Sequence, residues 1–377
     1  MSVPHPLGAT LSEAQVQAGS LGAWFALMKP GVILLLQVTA ICAVLAHDLI
    51  DWHLGAGLDV LATLQISLVV LVGGMLTAGG ANAINMWYDR DIDPQMVRTA
   101  TRPIPAGAVS ETGALVFGVV LAVLGTAWFW FMANPVAAFW AAFSVLFYVF
   151  IYTIWLKRRT PQNIVIGGIA GSTPPLIGWA SAADGLSLAD PFDLGAALPW
   201  LMFLLIFLWT PPHFWALALF RAKEYAQAGV PMMPTVHGSK HTMIEMRVYC
   251  LLLIGLSAAF VDPDMWVNDK AQVAAWSNAW LITIIYSLWA LMLGIWYNQS
   301  VLDIKLREPR DSKGRIPSSF RSFFISMKYL AMMFLSLVLV LASVQIGIVL
   351  LLVLLARESV RGLRTLRQRM HPRTASA

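Results

Sequence analysis

Apolar stretches of about 18 or more residues recur along nearly the whole chain, and that is the length an α-helix needs to cross the hydrocarbon layer of a bilayer. The sequence predicts an all-α, polytopic membrane bundle with spans near 25–46, 63–84, 113–133, 136–156, 163–182, 198–220, 246–261, 276–297 and 325–350, about nine in all. Charged residues make up only 12% of the chain, about half the share of a soluble domain. Pro103, Pro135, Pro161, Pro199 and Pro309 fall between these spans, as helix breakers should. One bundle over 25–356 uses most of the chain, with a disordered cytoplasmic tail over 1–24 and a basic tail over 357–377. The apolar stretch from Phe323 to Ala356 is long for one crossing and short for two. It fits either one tilted helix or a helix followed by an interfacial segment.

The net charge of +5 would suit a nucleic-acid partner, but its distribution argues against one. The basic residues sit between spans, where they set membrane orientation. With Lys29 placed in the cytoplasm, Arg90, Arg98 and Arg102 fall on the same side. Lys157, Arg158, Arg159, Arg221, Lys223, Lys240, Arg247 and the cluster from Lys305 to Lys328 join them. The opposite loops hold Lys270 and the aspartates 48, 51, 59, 184, 190, 193, 262, 264 and 269. Nine spans would put the tail from Arg357 to Arg373 outside, the one basic segment on the wrong side. Met1 to Ser20 carries no Lys or Arg, so it lacks the basic start of a signal peptide and the Arg-rich face of a transit peptide. That favours a bacterial inner membrane over an organelle. Cys42 and Cys250 lie inside spans with no metal-ligating neighbours and read as inert thiols.

Three clusters end on the same predicted side. The second span runs out in Asn82, Asn85, Asp89, Asp91 and Asp93. On a helix, Asn85, Asp89 and Asp93 would share one face at a spacing of about 6 Å. Stacked oxygen side chains repel one another unless a cation sits among them, and Mg²⁺ takes hard oxygen ligands while sharing its shell with substrate phosphates. Asn82 continues the polar stripe into the apolar span, where polar groups are costly. Arg98 and Arg102 follow, and guanidinium groups grip phosphate. The pattern points to a Mg²⁺–diphosphate site rather than a solvated helix end. The fourth span closes on Tyr148, Tyr152, Lys157 and Arg158. Facing a diphosphate, the two cations would neutralise the leaving group, and Tyr152 would donate a hydrogen bond.

The fifth span is rich in small residues, among them Gly167, Gly168 and Gly171, which admit a close helix or a flat ligand. The sixth ends in Trp209, Thr210, Pro211, Pro212, His213, Phe214 and Trp215. A histidine there can be structural, can ligate iron, or can hydrogen-bond a propionate or phosphate; active-site contact is the favoured reading. His237 and His241, beside Gly238 and Lys240, would sit in a cytoplasmic loop that could cover the phosphate. His47 and His53 fall outside, and His5 and His371 in the tails.

The run Asn85-x-x-x-Asp89-x-x-x-Asp93, followed by Met96, Arg98, Thr99, Arg102 and Pro103, resembles the first signature of the UbiA-type intramembrane prenyltransferases. The segment from Pro211 to Leu219 and the segment from Tyr225 to Pro234 are similar to the branch of that family whose acceptor is haem; the second Asp-x-x-x-Asp motif of the aromatic-acceptor branch is missing. The resemblance implies a Mg²⁺-dependent transfer of a farnesyl group from farnesyl diphosphate to a vinyl group of haem b, followed by water addition. It implies that haem b is a substrate rather than a resident group, contacted by Trp209 and His213, and that Glu224 stands where the family has an acidic residue. A haem A synthase becomes a candidate partner. The intermediate allylic cation requires a dry cavity, with Trp87, Tyr148, Tyr152, Trp209, Phe214 and Trp215 as aromatic walls. Two rivals remain: the same fold acting on a quinone or chlorin, and a transporter with a polar path. Against the latter stand the lack of repeated halves and of a midplane acidic pair.

Overall fold

The computed structural model describes residues 19–267, 270–312 and 315–353. Its helices are α1 (Leu21–Leu27), α2 (Pro30–His53), α3 (Val60–Tyr88), α4 (Glu111–Met132) and α5 (Pro135–Leu146). The chain continues from α5 as a wide helix to Leu156, then through α6 (Asn163–Ser172), α7 (Pro174–Ala182), α8 (Leu198–Phe220), α9 (Ala222–Gln227) and α10 (Met233–Val236). It closes with α11 (Gly238–Ala259), α12 (Lys270–Ala275), α13 (Ala279–Leu302) and α14 (Pro317–Ala342). Among the described residues, nine spans are long and apolar enough to cross a membrane, α5 counting with its wide continuation and α6 with α7. The protein is a multi-pass membrane protein.

Starts are written locally. The side chains of Ser20, Asp59, Ser110 and Asn134 each accept from backbone N–H groups of the first turn that follows, the groups a helix leaves unpaired. Pro30 disfavours the helical region for the residue before it, so the chain breaks at Lys29. That residue takes φ 55°, the one left-handed non-glycine among the described residues. Pro174 and Pro175 bring no N–H to the helical ladder, and the fifth span divides at Thr173, which itself stays in the right-handed helical region.

Lipid is as apolar as the helices, so close approach of small residues holds such a bundle together. A Cβ on Gly178 in α7 would lie 2.1 Å from the Ala40 carbonyl oxygen in α2, and one on Gly80 in α3 would lie 2.6 Å from the Ala122 nitrogen and the Gly118 oxygen in α4. These contacts seat α2 against α7 and α3 against α4, while α8 packs among α6, α11 and α14.

Several expected boundaries move. The seventh span begins at Gly238 rather than 246, so Lys240 lies on a helix. The ninth begins at Pro317 rather than 325, which puts Arg321 on a helix too. The long C-terminal stretch is not one tilted helix: Ser343 is extended (φ −160°, ψ 112°), its hydroxyl accepts from the Ile346 N–H, and a second apolar helix runs over Val344–Val353. The expected tail over 1–24 is corrected at its end, where α1 buries Ala23 and Leu27. Residues 1–18 of that tail and the basic tail over 357–377 lie outside the described residues.

Candidate active site

One end of α3 carries the acidic motif, but not as a single helical stripe. The helix stops at Tyr88 and Asp89 caps it, while Asp93 opens a short 3-10 turn (Asp93–Gln95). Hydrogen bonds from the Asp89 N–H to Asn85 O (3.0 Å) and from the Asp93 N–H to Asp89 O (2.9 Å) keep the three residues stacked through the change of winding.

Each acidic side chain meets a cation. The Lys157 ammonium donates to Asp89 Oδ2. Arg102 Nη1 donates to both Asp93 oxygens at 2.7 and 2.8 Å. Lys29 Nζ donates to Asn85 Oδ1 at 2.8 Å, and the Asn85 amide donates on to Thr153 Oγ1 at 3.2 Å. Asp89 and Asp93 are 0% and 1% exposed. Asp89 Oδ1 is buried without a hydrogen-bond partner, and the nearest guanidinium nitrogen, from Arg158, stands 3.7 Å away.

These groups close one end of a cavity of about 470 Å³. Lys29, Arg98, Arg102 and Lys157 line that end with Asn85 and Asp93, and Asp89 stands behind Lys157. Four cations against two carboxylates leave positive charge that a polyanion would balance. The Lys29 ammonium carries this imbalance: burial first, then Arg102 and Lys157, hold it well below the usual lysine range, against Asp89 and Asp93. The rest of the cavity is apolar, with Leu35, Val70, Phe129, Ile177 and Ile206 among its walls. Val32 and Phe214, 58% and 38% exposed, are also lining residues that reach the protein surface. A cavity with an anion-binding end and an apolar body suits a molecule with an anionic head and a hydrocarbon tail.

The wide helix after Leu146 explains how Tyr148 and Lys157 reach the same cavity. At 100° per residue, nine residues turn an α-helix about two and a half times and would put them on opposite faces. Turns closed by i→i+5 bonds, such as Lys157 N–H to Tyr152 O at 2.8 Å, rotate less per residue. Tyr148, Tyr152 and Lys157 all line the cavity.

Other expected site residues are placed differently. Arg158 is not a lining residue: it grips both Asp91 oxygens (2.6 and 2.7 Å) and donates to Tyr88 O. The hydrogen bonding from Arg158 holds the Asp91 carboxyl below the usual range. Glu224 pairs with Arg221 at 2.9 Å off the cavity wall; its neighbour Tyr225 lines the wall instead. Trp87 packs in a separate cluster, and Trp215 is fully buried against Tyr249, so neither is an aromatic wall. Tyr148, Tyr152, Trp209 and Phe214 are, joined by Phe129 and Phe323. Of the small residues, Gly167 and Gly168 take up packing against Tyr152 and Thr210, and Gly171 faces open space. His237 and His241 form no loop over the site: His241 sits in α11 and pairs with Glu245 at 3.4 Å. Lys29 is the residue that sequence reasoning missed, having used it only to set orientation; the Lys-Pro step was the available signal.

His213, 6% exposed, lines the far part of the cavity. Its ring stacks between Trp209 (centroids 4.1 Å) and Phe323 (4.5 Å), and its Nδ1 lies 2.6 Å from Ser326 Oγ.

A family model described as the UbiA prenyltransferase family matches residues 38–327. A protoheme IX farnesyltransferase of Acidiphilium cryptum is 40% identical over 87% of this chain and 93% of its own. One from Rhodopseudomonas palustris is 40% identical over 88% and 92%, and one from Gluconobacter oxydans is 46% identical over 63% and 69%. Among solved structures, a digeranylgeranylglyceryl phosphate synthase superposes with TM-score 0.57 at 17% identity, over 85% of this chain and 98% of that one. A UbiA homolog from Aeropyrum pernix K1 superposes at 0.55 and 18%, with the same coverage.

Proposed function

The chain belongs to the UbiA prenyltransferase family, and on that premise we propose that it transfers the farnesyl group of farnesyl diphosphate to a vinyl group of protohaem IX, with addition of water, giving haem O and diphosphate. The relatives named for this activity, 40% identical over most of both chains, support the acceptor. The observation that carries the donor is the cationic end of an otherwise apolar cavity, with Lys157 and Arg102 already seated on buried carboxylates.

The reaction breaks the bond between farnesyl C1 and oxygen, and the diphosphate leaves with the electron pair. Lys29, Arg102 and Lys157 face that charge from partly buried positions as it develops, and Arg98 from an exposed one. The vinyl electrons form the new bond to C1, and water captures the cation left beside the porphyrin, losing a proton. Tyr148, Tyr152 and Phe129 keep the cavity wall aromatic around the allylic cation.

The donor set fits Mg²⁺. Asn85 Oδ1, the orphaned Asp89 Oδ1 and Asp93 are hard oxygen donors. Among the described residues no three His, Cys, Asp or Glu side chains gather, so a cation here would complete its shell with substrate oxygens, as Mg²⁺ does. When bound, Mg²⁺ would neutralise diphosphate charge. Glu224, held by Arg221, is not placed to hold a second ion. The basic residues at this end of the bundle support an orientation with the site toward the cytoplasm of a bacterial inner membrane. Haem O would then pass to an enzyme such as haem A synthase, or directly to a terminal oxidase.

Offering labelled farnesyl diphosphate with haem b or with an aromatic acceptor, in separate reactions, tests the acceptor: label should enter haem alone, and label in the aromatic product alone would overturn the reading. Lys29→Met should raise KM for farnesyl diphosphate about 10-fold, the worth of one charge-assisted hydrogen bond, while KM for haem stays unchanged.

A further inference from the structure

Two contacts at Ser326 fix the tautomer of His213. Ser326 Oγ lies 2.6 Å from the Phe323 carbonyl oxygen and 2.6 Å from His213 Nδ1. A carbonyl can only accept, so the single hydroxyl proton must point at Phe323 O. The contact to Nδ1 is then a hydrogen bond only if the imidazole donates. The ring is therefore the Nδ1–H tautomer, and Nε2 carries a bare lone pair. Ser326 is itself pinned, its carbonyl accepting from Trp209 Nε1–H at 2.8 Å. Trp209 and Phe323 sandwich the ring, so the imidazole cannot tilt without unstacking, and a flip would break the Nδ1 contact to Ser326.

The partner of that lone pair follows from its sign. A propionate or a diphosphate presents acceptor oxygens and needs an N–H; a lone pair facing it repels. No charged side chain is among the groups in contact with the ring, which are a hydroxyl and aromatic faces. An electrophilic centre on a flat, apolar ligand meets every condition. We propose that His213 Nε2 coordinates the iron of the haem acceptor and that Ser326 is a positioning residue that sets the tautomer. This rests on the proposed acceptor and deepens it: iron ligation would hold the porphyrin in a fixed place relative to the farnesyl C1, with Trp209 and Phe323 buttressing the ligand rather than the macrocycle.

The test uses the full-length protein in lipid nanodiscs, titrated with haem b and, separately, with iron-free protoporphyrin IX. Wild-type protein should give the absorption and resonance Raman signature of imidazole-ligated haem. His213→Gly should lose that signature, and added imidazole should restore it. Haem affinity should fall about 10-fold or more in Ser326→Ala, as for other groups that orient a metal ligand, while iron-free protoporphyrin should bind the wild type and both variants alike. Haem bound with the same signature in wild type and His213→Gly would overturn the proposal, as would equal losses for haem and the iron-free porphyrin, which would mark a purely structural role. Farnesylation of haem, scored separately by product, can succeed or fail independently of the iron signature.

Discussion

Asp89→Ala is expected to lower prenyl transfer by about 10³-fold or more, with haem binding retained. Removing one preorganised charge-stabilising group costs about 10²–10³ in rate, and this substitution removes more than one function. Asp89 holds Lys157 by a direct ion pair, and its other oxygen is the orphan best placed for a cation. Without it, the Lys157 side chain loses its carboxylate partner and no longer aims at the leaving group. Asp89→Asn should lose nearly as much activity while preserving shape, since an amide keeps the packing but not the charge. Steady-state turnover with haem and farnesyl diphosphate both saturating measures both variants. Transfer by Asp89→Ala at half the wild-type rate or better would remove this residue from the chemistry.

The second large effect is on the fold. Gly178→Val should abolish accumulation of folded protein, because even the first added carbon falls 2.1 Å from a backbone oxygen of α2, and backbone cannot step aside as a flexible side chain can. Overpacking typically costs about 1–3 kcal/mol, occasionally more; here α2 and α7 would have to separate, and α2 also seats Lys29 and packs on α3 and α14. Gly171→Ala, in the same span, has nothing within 4 Å of the added carbon and gains helix propensity, so its thermal stability should match or slightly exceed the wild type. Thermal unfolding in detergent, followed by fluorescence-detected chromatography, separates the two. Equal stability of both variants would show that the α2–α7 approach is not what holds the bundle.

The spans were legible because lipid imposes a length and an apolar composition on each of them; the fourth, fifth and sixth agree with the structure within a residue or so. Boundaries failed where polar residues ride on a helix beyond the bilayer. Lys240 in α11 and Arg321 in α14 look like loop charges in a string of letters but extend helices outward. The acidic motif was readable as a set of hard oxygens. Its geometry was not, since helix end and 3-10 turn are decided by packing around Asp89 rather than by the four-residue spacing. The wide helix that brings Lys157 beside Tyr148 leaves no mark in residue periodicity. Lys29 was hidden by distance along the chain: its contact with Asn85 exists only once α2 lies against α3. The pairing of Arg158 with Asp91, rather than with a substrate, was equally out of reach, because both are surface-type residues whose partners depend on a loop path.

Purified protein incubated with haem b, farnesyl diphosphate and Mg²⁺, with the haem then weighed by mass spectrometry, puts the whole account to a single measurement. The account predicts haem heavier by one farnesyl group and one hydroxyl group, absent when Mg²⁺ is chelated and restored when it is returned. Haem of unchanged mass, under conditions in which the same preparation prenylates an aromatic acceptor, would contradict it.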